Sequence, residues 1–247
     1  MSAVMRRCEQ LLADGADLLD IGGESTRPGA QPVPLEAELA RVLPVLRHAV
    51  TLGVPVSIDT YKPEVMQAVL DLGADIINDV WAFRQPGAAG VVAQHSSCGV
   101  CLMHMHLEPQ TMQASPMQGD IVPKVLSFLC QSAESLRSAG VDKSRIVLDV
   151  GIGFGKTVVQ NFSLLARQHE FLAAGYPMMA AWSRKSSLLA VVADPSAAGA
   201  VAITNADRLV PSVAAALLAV ERGARVVRVH DVRETAQALK VWQAATA

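Results

Sequence analysis

Three acceptor side chains close short apolar runs: Asp59 ends Val54–Asp59, Asn78 lies in Ile76–Asp79, and Asp149 lies in Ile146–Val150. A carboxylate at such a place is costly to bury unless it is paired or bonded to a ligand. Singly, either aspartate could be half of a structural salt bridge within the barrel. Together they match the amino and ring N–H edge of a guanidine-like heterocycle. A second set is cationic: Arg27, Lys185 and Arg228, with His230 beside the last. Gathered at one mouth, these groups suit a pyrophosphate leaving group, because fixed positive charge stabilises a departing oxyanion. Arg228 and His230 are two residues apart, which on a strand places them on one face.

Two more exciting readings fail. Asp149 to Thr157 holds Gly151, Gly153 and Gly155 and then Lys156, which tempts one towards a phosphate-binding loop. The Walker pattern needs a Gly five residues before Gly155, where Val150 stands, and the third Gly of the dinucleotide fingerprint is absent. What is left is a flexible backbone beside Asp149 that can admit a flat ligand, with Phe154 available to stack on it. Cys98 and Cys101 form a CxxC ahead of His104 and His106. In a strand over this stretch Cys101 and His104 point to opposite faces, and no second CxxC completes a zinc site. The expectation is no metal held by these residues.

The elements that must position these groups alternate. Strands are expected at Leu18–Gly22, Val54–Asp59, Ile76–Asp79, Val100–Met105, Ile146–Val150, Pro177–Trp182 and Val226–Val229. Helical spacing of apolar residues marks Ser2–Ala13, Glu36–Leu52, Pro63–Leu72, Ile121–Ala139, Ser163–Ala174, Leu209–Arg222 and Val232–Ala244. Polar groups follow all of the strands, from Asp20 and Glu24 to Arg228 and His230. A doubly wound sheet would gather its ligand groups at one switch point, whereas a barrel brings every strand end to one mouth. The reading is one domain over 1–247, an α/β chain folded as a (β/α)₈ TIM barrel. Because the chain opens in a helix that should follow a strand, strand 1 is expected to be missing.

The 247 residues are 51% hydrophobic and 18% charged with net charge −2, which suits buried parallel strands and offers no basic face for nucleic acid. No apolar run reaches the roughly 18–20 residues of a membrane span; Leu209–Val220 stops at Glu221. Met1 to Glu9 lacks the apolar stretch of a secretory signal, so a cytoplasmic location is expected.

The segments GGESTRPG (22–29), SIDT (57–60), INDV (77–80), LMHM (102–105), GIGFGK (151–156), SRKS (183–186) and RVHDV (228–232) resemble dihydropteroate synthase, in that family's order and across essentially the whole chain. The resemblance implies condensation of 6-hydroxymethyl-7,8-dihydropterin pyrophosphate with 4-aminobenzoate, giving 7,8-dihydropteroate and pyrophosphate. It implies that Asp59, Asn78 and Asp149 hold the pterin edge, that Lys185 touches the pterin ring and borders the aminobenzoate, and that Arg228 stacks on the pterin. Thr26, Arg27 and Phe154 would face the aminobenzoate, and Arg27, Arg228 and His230 would meet the pyrophosphate. Catalysis would rest on Lys185, Arg228 and His230. It further implies Mg²⁺, a homodimer packed through late helices, and competition by sulfonamides. The family's opening strand carries an Asn that contacts Mg²⁺ and pyrophosphate, and no residue here matches it. The alternative reading is an N-terminally truncated or paralogous pterin-binding protein without synthase activity.

Overall fold

The computed structural model describes residues 2–27, 29–108, 110–193, 204 and 206–246. Seven strands alternate with helices: α1 (Ala3–Ala13), β1 (Leu19–Gly22), α2 (Leu35–Ala49), β2 (Val56–Asp59), α3 (Pro63–Asp71), β3 (Ile76–Asp79), α4 (Ala88–Gln94), β4 (Gly99–Met103), α5 (Val122–Ser138), β5 (Ile146–Asp149), α6 (Val158–Ala166), α7 (His169–Leu172), β6 (Met178–Ala180), α8 (Ser186–Val192), α9 (Leu209–Glu221), β7 (Ala224–Val227) and α10 (Val232–Thr246). The sheet order is β1 to β7 in sequence, and every pairing is parallel. A doubly wound sheet would break that order at its switch point. Here each helix returns the chain to the next neighbour, and the sheet curls.

The curl is visible in side chains. Arg228, one residue past β7, reaches Asp20 on β1 at 2.5 Å and Asp59 on β2 at 2.9 Å. Arg7 on α1 donates to the His230 carbonyl at 3.1 Å. Thus the first and last strands share a mouth, although no backbone ladder joins β7 to β1 among the described residues.

Alternation along the strands divides the labour. Val56, Ile58, Ile77, Val100, Leu102, Ile146, Leu148 and Met178 belong to the large apolar cluster between sheet and helices. Each such side chain gains roughly 1.5–3 kcal/mol by leaving water. The alternate positions Asp59, Asn78, Met103, Asp149 and Met179 line the concave side, and the register sets Asp59 beside Asn78 and Asp149 beside both Met103 and Met179. The opposite end of the sheet is tied by Arg145, which donates to the carbonyls of Cys98 (2.5 Å), Val92 (2.6 Å) and His95 (2.9 Å) and so caps α4.

Some expected boundaries move. β7 ends at Val227, so Arg228 and His230 lie in the loop beyond it and not on one strand face. β4 ends at Met103, leaving His104 outside the strand, buried edge-on against Phe128 at 4.9 Å. The single helix expected over Ser163–Ala174 is two: α6 starts early, at a capping box between Thr157 and Gln160, and a break at Arg167–Gln168 precedes α7. Gln168 uses that break to donate to the Ala219 carbonyl on α9 at 2.8 Å. No helix among the described residues is long and apolar enough to cross a membrane.

Candidate active site

The concave face ends in a cavity of about 320 Å³, open to solvent, at the C-terminal ends of the strands. Thr26, Asp59, Asn78, Asp149, Phe154, Lys185 and Arg228 line it, together with Val80, Met103, Ile152, Met179 and Ala181. The sequence reading named the polar members and Phe154. It missed the five apolar walls, which sit at strand ends and carry no chemical signature of their own. Arg27 and His230 are not part of the lining.

Each polar group has a structural reason for its place. Asp59 ends β2, and burial raises its carboxyl to about 7 against the pull of Arg228. Asp149 ends β5, where it accepts from the Gly151 N–H at 2.8 Å, and burial again raises its pKa. Asp79, next to Asn78, turns away from the cavity to accept from the Trp81 and Phe83 N–H groups at 2.7 Å each, and burial holds it near 7.

Lys185 stands at the start of α8 with its ammonium 4.5 Å from the centre of the Phe154 ring. Burial lowers it to about 8, and Asp149 pulls the other way. Its neighbour Arg184 takes φ = 60°, an unfavourable backbone state for a side-chain-bearing residue. Three contacts hold that turn. The Arg184 N–H donates to Ser212 Oγ (2.9 Å), Arg208 donates to the Arg184 carbonyl (2.9 Å), and the guanidinium clasps Asp231 at 2.5 and 3.0 Å.

Arg228 keeps 42% of its side chain exposed, above two carboxylates that aim it over the cavity. His230 lies at the rim, its backbone N–H and Nδ1 both at Ser183 Oγ (3.1 and 3.0 Å). Although its surface is exposed, crowding of the ring followed by Arg184 and Arg228 lowers it to about 4. That shift favours the neutral ring at pH 7. Arg27 is exposed on the loop after β1 and adds positive field at both Lys185 and His230.

That loop is held from below. Lys62 bridges the carboxylates of Glu24 and Glu38, Tyr61 donates to Glu24 at 3.0 Å and Thr60 to Glu38 at 2.7 Å. Gly23 lets the chain pass over α2; a Cβ there would lie 2.8 Å from Glu38 and Val42. A second opening of about 520 Å³, lined by Glu24, Tyr61, Trp81 and Glu108, meets the first at Thr26. Pro28 lies outside the described residues.

A family model described as pterin binding enzyme matches residues 1–230. The dihydropteroate synthase of Neisseria meningitidis serogroup B is 46% identical over 245 residues, covering 97% of this chain and 83% of that protein. The chain belongs to the dihydropteroate synthase family. Among solved members, the Burkholderia cenocepacia enzyme complexed with 7,8-dihydropteroate is 51% identical, with TM-score 0.88 over 99% of this chain and 88% of its own. The Xanthomonas albilineans enzyme with 4-aminobenzoic acid is 44% identical, with TM-score 0.90 over 98% of this chain and 84% of its own. Membership of the family agrees with the cavity. The acceptors Asp59, Asn78 and Asp149 and the cations Lys185 and Arg228 come from five different strand ends and loops, yet meet at one mouth.

Proposed function

We infer that this chain is a dihydropteroate synthase that condenses 6-hydroxymethyl-7,8-dihydropterin pyrophosphate with 4-aminobenzoate to give 7,8-dihydropteroate and pyrophosphate. The observation that carries the residue roles is the convergence of Asp59, Asn78 and Asp149 with Lys185, Arg228 and Phe154 on one cavity. Asp149, Asp59 and Asn78 accept from or donate to the amino, ring N–H and carbonyl edge of the pterin. Their burial excludes water, which strengthens each bond. Arg228, fixed by Asp20 and Asp59, lies flat on the pterin, while Lys185 borders both substrates.

The amine nitrogen of aminobenzoate forms a bond to the pterin methylene carbon as that carbon's bond to the pyrophosphate oxygen breaks. The pyrophosphate takes the bonding pair, and the amine releases a proton to it or to solvent. Positive charge builds on the methylene and negative charge on the leaving oxygen, so catalysis lies in stabilising the anion more than in a strong base. Arg228, Arg27 and the Nε2 side of His230 supply that stabilisation. Thr26 and Phe154 wall the aminobenzoate.

Mg²⁺ belongs to this reading as the companion of the pyrophosphate. Among the described residues, no group of three or more His, Cys, Asp or Glu is placed to hold a metal. We also propose that the sheet is that of a (β/α)₈ barrel whose remaining strand lies between β7 and β1, that the enzyme works as a homodimer, and that it is cytoplasmic. The reach of Arg228 to Asp20 supports the first of these.

The test is dihydropteroate formation by this chain from both substrates with Mg²⁺. A sulfonamide should raise the KM for aminobenzoate and leave kcat unchanged. Turnover that sulfonamides inhibit supports the synthase. Tight binding of a pterin without turnover would favour a binding protein instead.

A further inference from the structure

The loop after β5 ends in a lysine that neither the pterin edge nor the leaving-group site uses. Lys156 is 3% exposed. Its Nζ donates to three main-chain carbonyls: Gly151 at 2.8 Å, Phe154 at 3.1 Å and His104 at 3.3 Å. Two of these acceptors come from its own loop and the third from the exit of β4. Turning them to one point takes positive φ at Gly151 (68°), Gly153 (82°) and Gly155 (68°). At Gly151 a side chain is excluded twice over, because a Cβ would fall 1.9 Å from the His104 oxygen.

Three converging carbonyl dipoles in a dry place form a strongly negative spot that water cannot relieve. An ammonium ion matches it, with three donors for three acceptors. Burial, with Lys185 nearby, lowers the ammonium to about 7, while Asp149 and the three carbonyls favour its charged form. The same carbonyl of Phe154 that meets Lys156 belongs to the residue whose ring packs against Lys185. A shift of that peptide would move the aromatic wall and the ammonium it faces.

We propose that Lys156 is the built-in cation of a three-carbonyl site and acts as a positioning residue, setting the Phe154 wall and, through it, Lys185. This rests on the roles given to those two residues above. Removal of the side chain leaves a site for a small monovalent ammonium ion, the class of ligand it would then take.

The experiment uses Lys156→Ala and Lys156→Met in the full chain. Turnover is assayed with ammonium, methylammonium or n-propylammonium chloride, against choline chloride at the same ionic strength. Lys156→Ala should lose about tenfold or more in turnover, since buried acceptors are left without partners. The KM for aminobenzoate should rise more than the dissociation constant of a pterin analogue measured by calorimetry. n-Propylammonium should restore activity with saturation, and choline should not. Lys156→Met fills the space without charge, so it should be impaired and unresponsive to amines.

If Lys156→Ala folds only with an amine present, the yield of folded protein becomes the readout. Wild-type turnover in Lys156→Met overturns the proposal, as does a Lys156→Ala chain whose turnover, aminobenzoate affinity and folding all ignore amines. An inactive wild-type chain would fail the reading of the reaction instead. The response of aminobenzoate affinity and folded yield to amines would still judge the site.

Discussion

Lys185 shows how one side chain draws its properties from several elements. Its ammonium faces an aromatic ring, lies near a buried carboxylate and follows a left-handed Arg184. Because it lines a solvent-open mouth, it contributes little to the core, so Lys185→Ala should leave the circular dichroism spectrum unchanged. Its kcat/KM should fall about a hundredfold or more, as expected for a lost charge-stabilising group. Turnover resembling the wild type would remove Lys185 from the mechanism. The pH profile follows from the sign of its shift. Burial places the folded pKa near 8, below the ordinary lysine value, so the charged form disappears as pH rises through about 8. The kcat/KM profile should therefore carry an alkaline limb near pH 8, absent from Lys185→Met. The same shift affects stability in the opposite direction. Above pH 8 the unfolded chain holds this proton more firmly than the folded one, so this group alone makes stability rise with pH until its unfolded value is passed.

At the scale of elements, the alternation of strand and helix was legible because buried parallel strands read as apolar runs and the covering helices keep a 3.6-residue period. Asp59, Asn78 and Asp149 were legible for the same reason: each is an acceptor at the end of such a run. α4 was not, since Ala88–Gln94 is rich in Ala and Gly and shows no clear stripe. It is held instead by Arg145, which sits far along the chain and whose pattern of acceptors no spacing rule reveals. Arg145→Ala should cost about 2 kcal/mol by leaving buried carbonyls unsatisfied. Urea denaturation would measure that loss, and turnover per folded molecule should be unchanged because Arg145 lies at the end of the sheet away from the mouth. The work of Lys156 was hidden too. Its acceptors converge only after three glycines take positive φ, and the same run of residues read from sequence suggested little beyond a flexible loop. Arg228 and His230 were found by type and misplaced by one element, because β7 stops before them.

At the scale of the whole molecule, β1 and β7 lie at the two edges of the sheet, and Arg228 joins them through Asp20. Asp20→Ala should free Arg228 from one of its two carboxylates. The KM for the pterin pyrophosphate should then rise about tenfold, the scale of one charge-assisted hydrogen bond, with the fold intact. An unchanged KM would show that Asp59 alone aims the guanidinium. The bond between these residues also spans 208 positions of sequence, whereas the strands themselves pair only with their neighbours in order. Local βα units can therefore dock one after another as the polypeptide emerges during synthesis. The mouth cannot assemble that way, because its first and last charges are nearly a whole chain apart. A nascent chain halted before residue 228 would carry the pterin acceptors and lack the guanidinium that closes over them. Closure of the guanidinium over the substrate would thus come late in biosynthesis, once the loop after β7 reaches Asp20 and Asp59.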